Sequence, residues 1–164
     1  MSAAPSASGS ALGFDLSGLL FSAVAVGDEL PTLELPITRT LIVSGAIASR
    51  DYQDVHHDSV LATDRGSKDI FMNILSTNGF VGRYVTDWSG PAAIIESVSI
   101  RLGAPNYPGD TMVFTGEVTD VSPPTPPGAR GTVTVALTGR NSLGSHVTGT
   151  VRLSLPSGSQ EGGR

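Results

Sequence analysis

The sequence contains no cysteine, which excludes disulfides, thiolate nucleophiles and cysteine-ligated metals. Lys68 is its only lysine and its net charge is −5. No sequence-wide basic field therefore exists to attract nucleic acid or an anionic membrane. No apolar run approaches the ~20 residues of a membrane span. A secretory leader is not expected either. The run Ala23-Val24-Ala25-Val26 has the look of a leader's apolar segment, but no Lys or Arg precedes it and Asp15 does. The expected location is the cytoplasm. What is present is a chain of 164 residues, enough for one domain with a substantial core.

Both ends offer little to bury. Residues 1–25 are expected to form a flexible tail and 157–164 a disordered one, leaving an ordered domain over 26–156. The first strand is expected at 33–40, where Ile37, Thr38 and Thr40 meet prolines that suit an edge or a bulge. Positions 41–52 change to a helical period through Leu41, Gly45, Ala48 and Tyr52. The longest helix is expected over 70–85, buried, with Ile74, Val81 and Val85 on one face. Its Ser76, Gly79 and Gly82 are weak helix formers and suit a close approach of another backbone. Extended segments follow at 93–102, 111–121, 132–140 and 146–155, the last two as a hairpin. In the first of these, Ile94, Glu96, Val98, Ile100 and Leu102 alternate against Ile95, Ser97, Ser99 and Arg101. An early strand, a buried helix and four consecutive antiparallel strands make an α+β order.

The chemistry concentrates in Ser49-Arg50-Asp51-Tyr52-Gln53-Asp54-Val55-His56-His57-Asp58, which holds two of the three histidines. An acid followed five positions later by an imidazole suits adding or removing water at a carbon–carbon double bond. The carboxylate orients the water, the imidazole takes its proton, and one of them protonates the neighbouring carbon. Surface turns collect the same residue types, so spacing alone leaves a structural turn as the alternative. Asp51 is expected on the last turn of the first helix and His56 in the loop beyond it.

Asp51, four residues, His56, five residues and Ala62 reproduce the hydratase motif of the MaoC-like hydratases, and the chain resembles that family. The likeness is greatest to the small subunits of actinobacterial steroid side-chain enoyl-CoA hydratases. It extends through Gly66-Ser67-Lys68-Asp69-Ile70-Phe71-Met72-Asn73-Ile74-Leu75, Arg83-Tyr84-Val85-Thr86-Asp87-Trp88 and Gly139-Arg140-Asn141-Ser142-Leu143-Gly144. The resemblance implies a hotdog fold, an antiparallel sheet wrapped around one long helix. It implies an enoyl-CoA hydratase subunit in which Asp51 and His56 are catalytic. Water would add to the 2,3 double bond of an acyl-CoA thioester, the acyl group being a steroid with a shortened unsaturated side chain. No cofactor and no metal are implied, coenzyme A being part of the substrate. The implied partner is a second, larger MaoC-like chain, in a heterodimer or heterotetramer. Three departures stand out. Arg50 replaces the family's usual Gly, and Gln53-Asp54 replaces Asn-Pro. Phe71-Met72 stands where the family carries His-Gly at the start of the long helix, and the Met72 backbone N–H is the candidate donor to the thioester oxygen.

Arg65 and Lys68 are candidates for the coenzyme A phosphates, with a solvated loop as the alternative. His57 is expected to face away from His56, as neighbours in an extended segment do. His146 is expected at the surface and Trp88 at the helix end. Asn73 and Asn78 are polar where the long helix should be apolar, and one of them is expected to order the site or a subunit contact. Two other functions remain open. A hotdog thioesterase usually places its carboxylate on the central helix, but positions 70–85 carry no Asp or Glu. A non-catalytic hotdog subunit would only complete a partner's pocket.

Overall fold

The computed structural model describes residues 18–157; of the tails expected at 1–25 and 157–164, positions 1–17 and 158–164 lie outside them. The sheet forms where the sequence alternates most regularly. In β4 (Arg130–Asn141), Gly131, Val133, Val135, Leu137 and Gly139 are buried, while the Thr and Ala residues between them stay partly exposed. That is the period of two that a strand imposes on its side chains. β3 (Thr111–Ser122) lies on one side of it and β5 (Gly144–Pro156) on the other. Ser142 and Leu143 join β4 to β5 between the paired Asn141 and Gly144. With β1 (Glu29–Pro36) and β2 (Ile94–Leu102) the order is β1-β3-β4-β5-β2, antiparallel throughout.

β2 departs from the unbroken alternation expected of it. A bulge between Ile95 and Ser97 inserts a residue, so Ile95 lies opposite Leu153 while Val98, Ile100 and Leu102 lie opposite Val151, Gly149 and Val147. The inward set is therefore 95, 98, 100 and 102, because an extra residue carries the chain to the other face. Val98 and Leu102 nevertheless remain 38% and 37% exposed. The edges differ in another way. β1 carries Pro31 and Pro36, which lack an N–H, and the charges of Glu29 and Glu34, all of which discourage pairing with another strand. β2 has no proline.

Pro36 ends the first strand and Thr38 caps α1 (Arg39–Ala48), its Oγ1 accepting the Leu41 N–H at 3.0 Å. Thr38 and Thr40, expected to end a strand, thus open a helix. A short α2 (Ser59–Asp64) follows, capped by Asp58, which accepts from the Val60 and Leu61 N–H groups. The long helix α3 runs over Ile74–Ser89, four residues later than expected. Its lead-in cannot be helical because its N–H groups point elsewhere: Phe71 donates to the Val55 carbonyl and Met72 to that of Asn106. α3 lays Thr77, Val81, Tyr84, Val85 and Ser89 into the core, with Tyr84 stacked on Phe114 at 5.3 Å. Burial pushes the Tyr84 hydroxyl up to about 12. Ile74, expected inside, is 49% exposed, and α3 is covered on one face only. Trp88 packs against the core from near the helix end. The close approach expected of α3 occurs at Ser76, which meets α1 where Gly45 leaves no room for a Cβ.

The domain begins before residue 26. The Leu19 N–H donates to the Ser89 carbonyl at 2.9 Å, and Phe21 fills the space left by Gly131 in β4. A short apolar patch otherwise assigned to the tail closes this end of the core. Among the described residues no helix is long and apolar enough to cross a membrane.

Candidate active site

Asp51 lies beyond the helix that was expected to carry it. α1 ends in a paired set of bonds, Arg50 N–H to the Ile47 carbonyl and Asp51 N–H to the Ala46 carbonyl. Such an ending requires a left-handed residue between the cap and Asp51, and Arg50 supplies it with φ 57°. The family's Gly at this position has a backbone reason, and Arg50 meets it at a cost in sterics of about 1 kcal/mol. Arg50→Gly is expected to stabilise the fold by up to ~1 kcal/mol, read as a higher urea midpoint with an unchanged m value. An unchanged or lowered midpoint would contradict the strain.

His56 closes a single 3₁₀ turn, Asp54–His56, and is buried. Its Nδ1 lies 2.7 Å from the Phe71 carbonyl oxygen, which can only accept, so Nδ1 carries the proton. In the neutral ring Nε2 then offers a lone pair. That Nε2 stands 3.4 Å from Asp51 Oδ2, too far for a direct hydrogen bond, so two acceptors converge on one point. The Phe71 ring holds the imidazole edge-on at 5.0 Å. His57 does face elsewhere, exposed, with Nε2 3.2 Å from the Tyr52 carbonyl. The reason is the turn; the segment is not extended. Asp58 is occupied as the cap of α2.

Asn73 completes the centre and is 2% exposed. Its Nδ2 donates to Asp51 Oδ2 at 3.0 Å and to Ser49 Oγ at 2.9 Å, and its Oδ1 accepts the Ser76 N–H at 2.9 Å as the N-cap of α3. The polar residue noted on the long helix is thus the one that opens it. Met72 does not offer a free donor, because its N–H is already spent on the Asn106 carbonyl at 3.1 Å. Among the described residues, no acceptor lies against the Ile74 and Leu75 N–H groups in the first turn of α3. They carry the positive end of the helix dipole.

The remaining candidates are dispersed. Arg65 pairs with Asp54 at 2.7 Å, and the Lys68 ammonium lies 5.8 Å over the Tyr107 ring; both side chains are exposed. Burial works against ionisation of Asp69, but the Ile70 N–H, Arg39 and Lys68 together hold its carboxyl below the usual range. Asp110 is held low mainly by the Ser142 hydroxyl. His146 is not at the surface. It is 2% exposed, with Nε2 2.9 Å from Thr77 Oγ1 and Nδ1 2.7 Å from the Ala104 carbonyl. Burial pushes its pKa below the ordinary value, against the Ala104 bond. Among the described residues no three His, Cys, Asp or Glu side chains cluster as a metal would need. Asp87, brought into α3 by its longer course, is 56% exposed and pairs with Arg83, away from Asp51.

Beside Asn73 and Ser49 opens a groove of about 500 Å³ between α1 and α3, lined by Leu41, Gly45, Ala48, Leu75, Gly79 and Phe80 among others. Gly79 meets nothing within 4 Å; it keeps the groove open and does not admit a second backbone.

No protein-family model matches the chain. Among curated proteins it is 55% identical over 130 residues to the 3-oxo-4,17-pregnadiene-20-carboxyl-CoA hydratase beta subunit of Mycobacterium tuberculosis, covering 79% of this chain and 95% of that one. Among solved structures it is similar to a chain of the ChsH1–ChsH2 complex of the same organism, with 54% identity and a TM-score of 0.74 over 80% of this chain and 98% of that one. A MaoC-like dehydratase from Rhodospirillum rubrum shares the fold at 21% identity, with a TM-score of 0.73 over 87% and 99% of the two chains.

Proposed function

Because the chain belongs to the MaoC-like hydratase family, with the steroid side-chain hydratase beta subunit as a relative at 55% identity, we propose that it is the catalytic subunit of an enoyl-CoA hydratase. The observation that carries this reading is the convergence of Asp51 Oδ2 and His56 Nε2, 3.4 Å apart, beside the first turn of α3. A water donating one hydrogen to each acceptor turns a lone pair toward the β-carbon of a 2-enoyl thioester. His56 Nε2 takes the water's proton as the new carbon–oxygen bond forms, and the double-bond electrons move onto the thioester oxygen. The imidazolium is stabilised by the neighbouring Asp51 carboxylate. In this reading the Ile74 and Leu75 N–H groups donate to the enolate oxygen, an interaction often worth ~3 kcal/mol per donor. Return of the proton to the α-carbon restores the pair and leaves a β-hydroxyacyl-CoA.

No cofactor takes part, since coenzyme A arrives with the substrate, and Arg65 and Lys68 are the cations proposed for its phosphates. The apolar groove beside Ser49 takes the acyl group, and its size suits a bulky one. The relative's name specifies a steroid acyl group, and a steroid with a short unsaturated side chain is the substrate proposed here. The ChsH1–ChsH2 complex formed by a related chain supports a second MaoC-like chain as partner, in a heterodimer or heterotetramer. Assay of the co-purified complex on enoyl-CoA thioesters of increasing bulk tests the reading. A kcat/KM at least ~10-fold higher for a ring-bearing thioester than for crotonyl-CoA is expected, the scale that a filled apolar pocket supplies. Preference for crotonyl-CoA would replace the steroid with an ordinary fatty acyl chain.

A further inference from the structure

We propose that Asn73 is the positioning residue for the Asp51 carboxylate, and that Thr77 and His146 hold Asn73 in place from behind. The inference rests on the reading of Asp51 and His56 as the water-handling pair. Every polar atom of the Asn73 carboxamide is committed, to Ser76 N–H, Ser49 Oγ and Asp51 Oδ2. Its orientation follows from those partners. A reversed amide would set its carbonyl oxygen against the Asp51 carboxylate and its NH₂ against the Ser76 N–H. The Asp51 oxygen that accepts from Asn73 is the one that stands 3.4 Å from His56 Nε2. A donor fixed on that oxygen sets the direction of its remaining lone pairs, and so the place where a shared water is held.

Behind Asn73 the support is continuous. The Thr77 N–H donates to the Asn73 backbone carbonyl at 3.2 Å, and the Thr77 hydroxyl lies 3.2 Å from the same oxygen. That hydroxyl also stands 2.9 Å from His146 Nε2. The Ala104 carbonyl requires the His146 proton on Nδ1, so the neutral ring accepts at Nε2 and the Thr77 hydroxyl donates to it. Burial favours that neutral ring. β5, α3 and the end of α1 are thereby tied into one line of hydrogen bonds that ends on Asp51. The cap of a helix and the aim of a reacting group are the same side chain.

The test uses the chain together with its partner. Asn73→Asp keeps an oxygen for the Ser76 N–H, since Asn and Asp are equal as N-caps, and replaces the donor facing Asp51 by a second carboxylate. The expected result is a lowered melting temperature, because a second carboxylate is buried beside Asp51, and, at a temperature where the variant stays folded, a kcat lower by roughly 30-fold. The acid limb of kcat/KM should also move up by about one pH unit or more, as for two carboxylates sharing a site. Asn73→Ser also keeps a cap and adds no charge; kcat is expected to fall ~10-fold with KM within about twofold, the signature of misplacement without lost binding. Thr77→Val is expected to lose about threefold in kcat, most of it regained in Thr77→Ser. Wild-type kcat and acid limb in both Asn73 variants, beside an inactive Asp51→Asn, would overturn the proposal. Losses of kcat that merely follow lost melting temperature would overturn it too. An active Asp51→Asn would instead remove the reading on which the proposal rests.

Discussion

Asp51→Asn and His56→Ala are each expected to lower turnover by ~100-fold or more, the scale of a general acid–base group. Asp51→Asn keeps the size and much of the hydrogen bonding but removes the charge that steadies the imidazolium. His56→Ala removes the lone pair held on Nε2 by the Nδ1–Phe71 bond. Because both act on one water, the double variant should lose far less than the product of the two single losses. Partner binding should change little in either variant, and melting temperature little in Asp51→Asn but by several degrees in His56→Ala, which empties a buried site and leaves the Phe71 carbonyl without its donor. Asp51 retains its backbone bond to Ala46 in either variant, and neither side chain belongs to the apolar core. His57→Ala is the control. Its ring is exposed and rests on the Tyr52 carbonyl, so its effect should be mild. An inactive His57 variant beside an active His56 variant would mean that the wrong imidazole has been assigned.

Val98→Asp with Leu102→Asp is expected to separate the chain from its partner and to abolish activity without touching Asp51 or His56. Both residues lie on the inward face of β2, opposite the fully buried Val151 and Val147, yet each is more than a third exposed. β2 is an edge of the sheet, and the prolines of β1 make the other edge the poorer one for pairing. A carboxylate buried unpaired in an interface costs roughly 3 kcal/mol or more, which is over two orders of magnitude in Kd. Co-purification should therefore fail while the circular dichroism of the separated chain remains folded. A double variant that still co-elutes with a full complement of partner and full activity would place the interface elsewhere. Full activity from the wild-type chain alone would remove the need for a partner.

The central strands were legible because one face of each is buried: the alternation of Val133, Val135 and Leu137 with Thr and Ala is the same fact in sequence and in structure. The bulge in β2 was not, since an inserted residue changes facing without changing composition. The approach of Asp51 to His56 was legible from spacing, but its cause was misplaced. A left-handed Arg50 turns the chain there, and residue type gives no sign of it. The start of α3 was blurred because Phe71 stands at helical spacing from Ile74 and Leu75, although it lies in a non-helical lead-in with the buried Ile70 and Met72. The Met72 N–H and the His146 ring were misjudged for one reason. Their partners, Asn106, Ala104 and Thr77, lie 34 to 69 residues away and leave no local mark.

The left-handed bend at Arg50 also shapes what substitution can do there. Exposed positions ordinarily accept most residue types with little penalty, and Arg50 is exposed. Its φ of 57° removes that tolerance. Gly, Asn and Asp fit such a backbone readily, whereas Val, Ile and Thr crowd their own carbonyls. A saturation library would thus find a solvent-facing position that disfavours β-branched residues by backbone shape alone. The carboxylate of Asp51 hangs from that bend, so variants lost at position 50 would be lost for misdirected chemistry while remaining soluble.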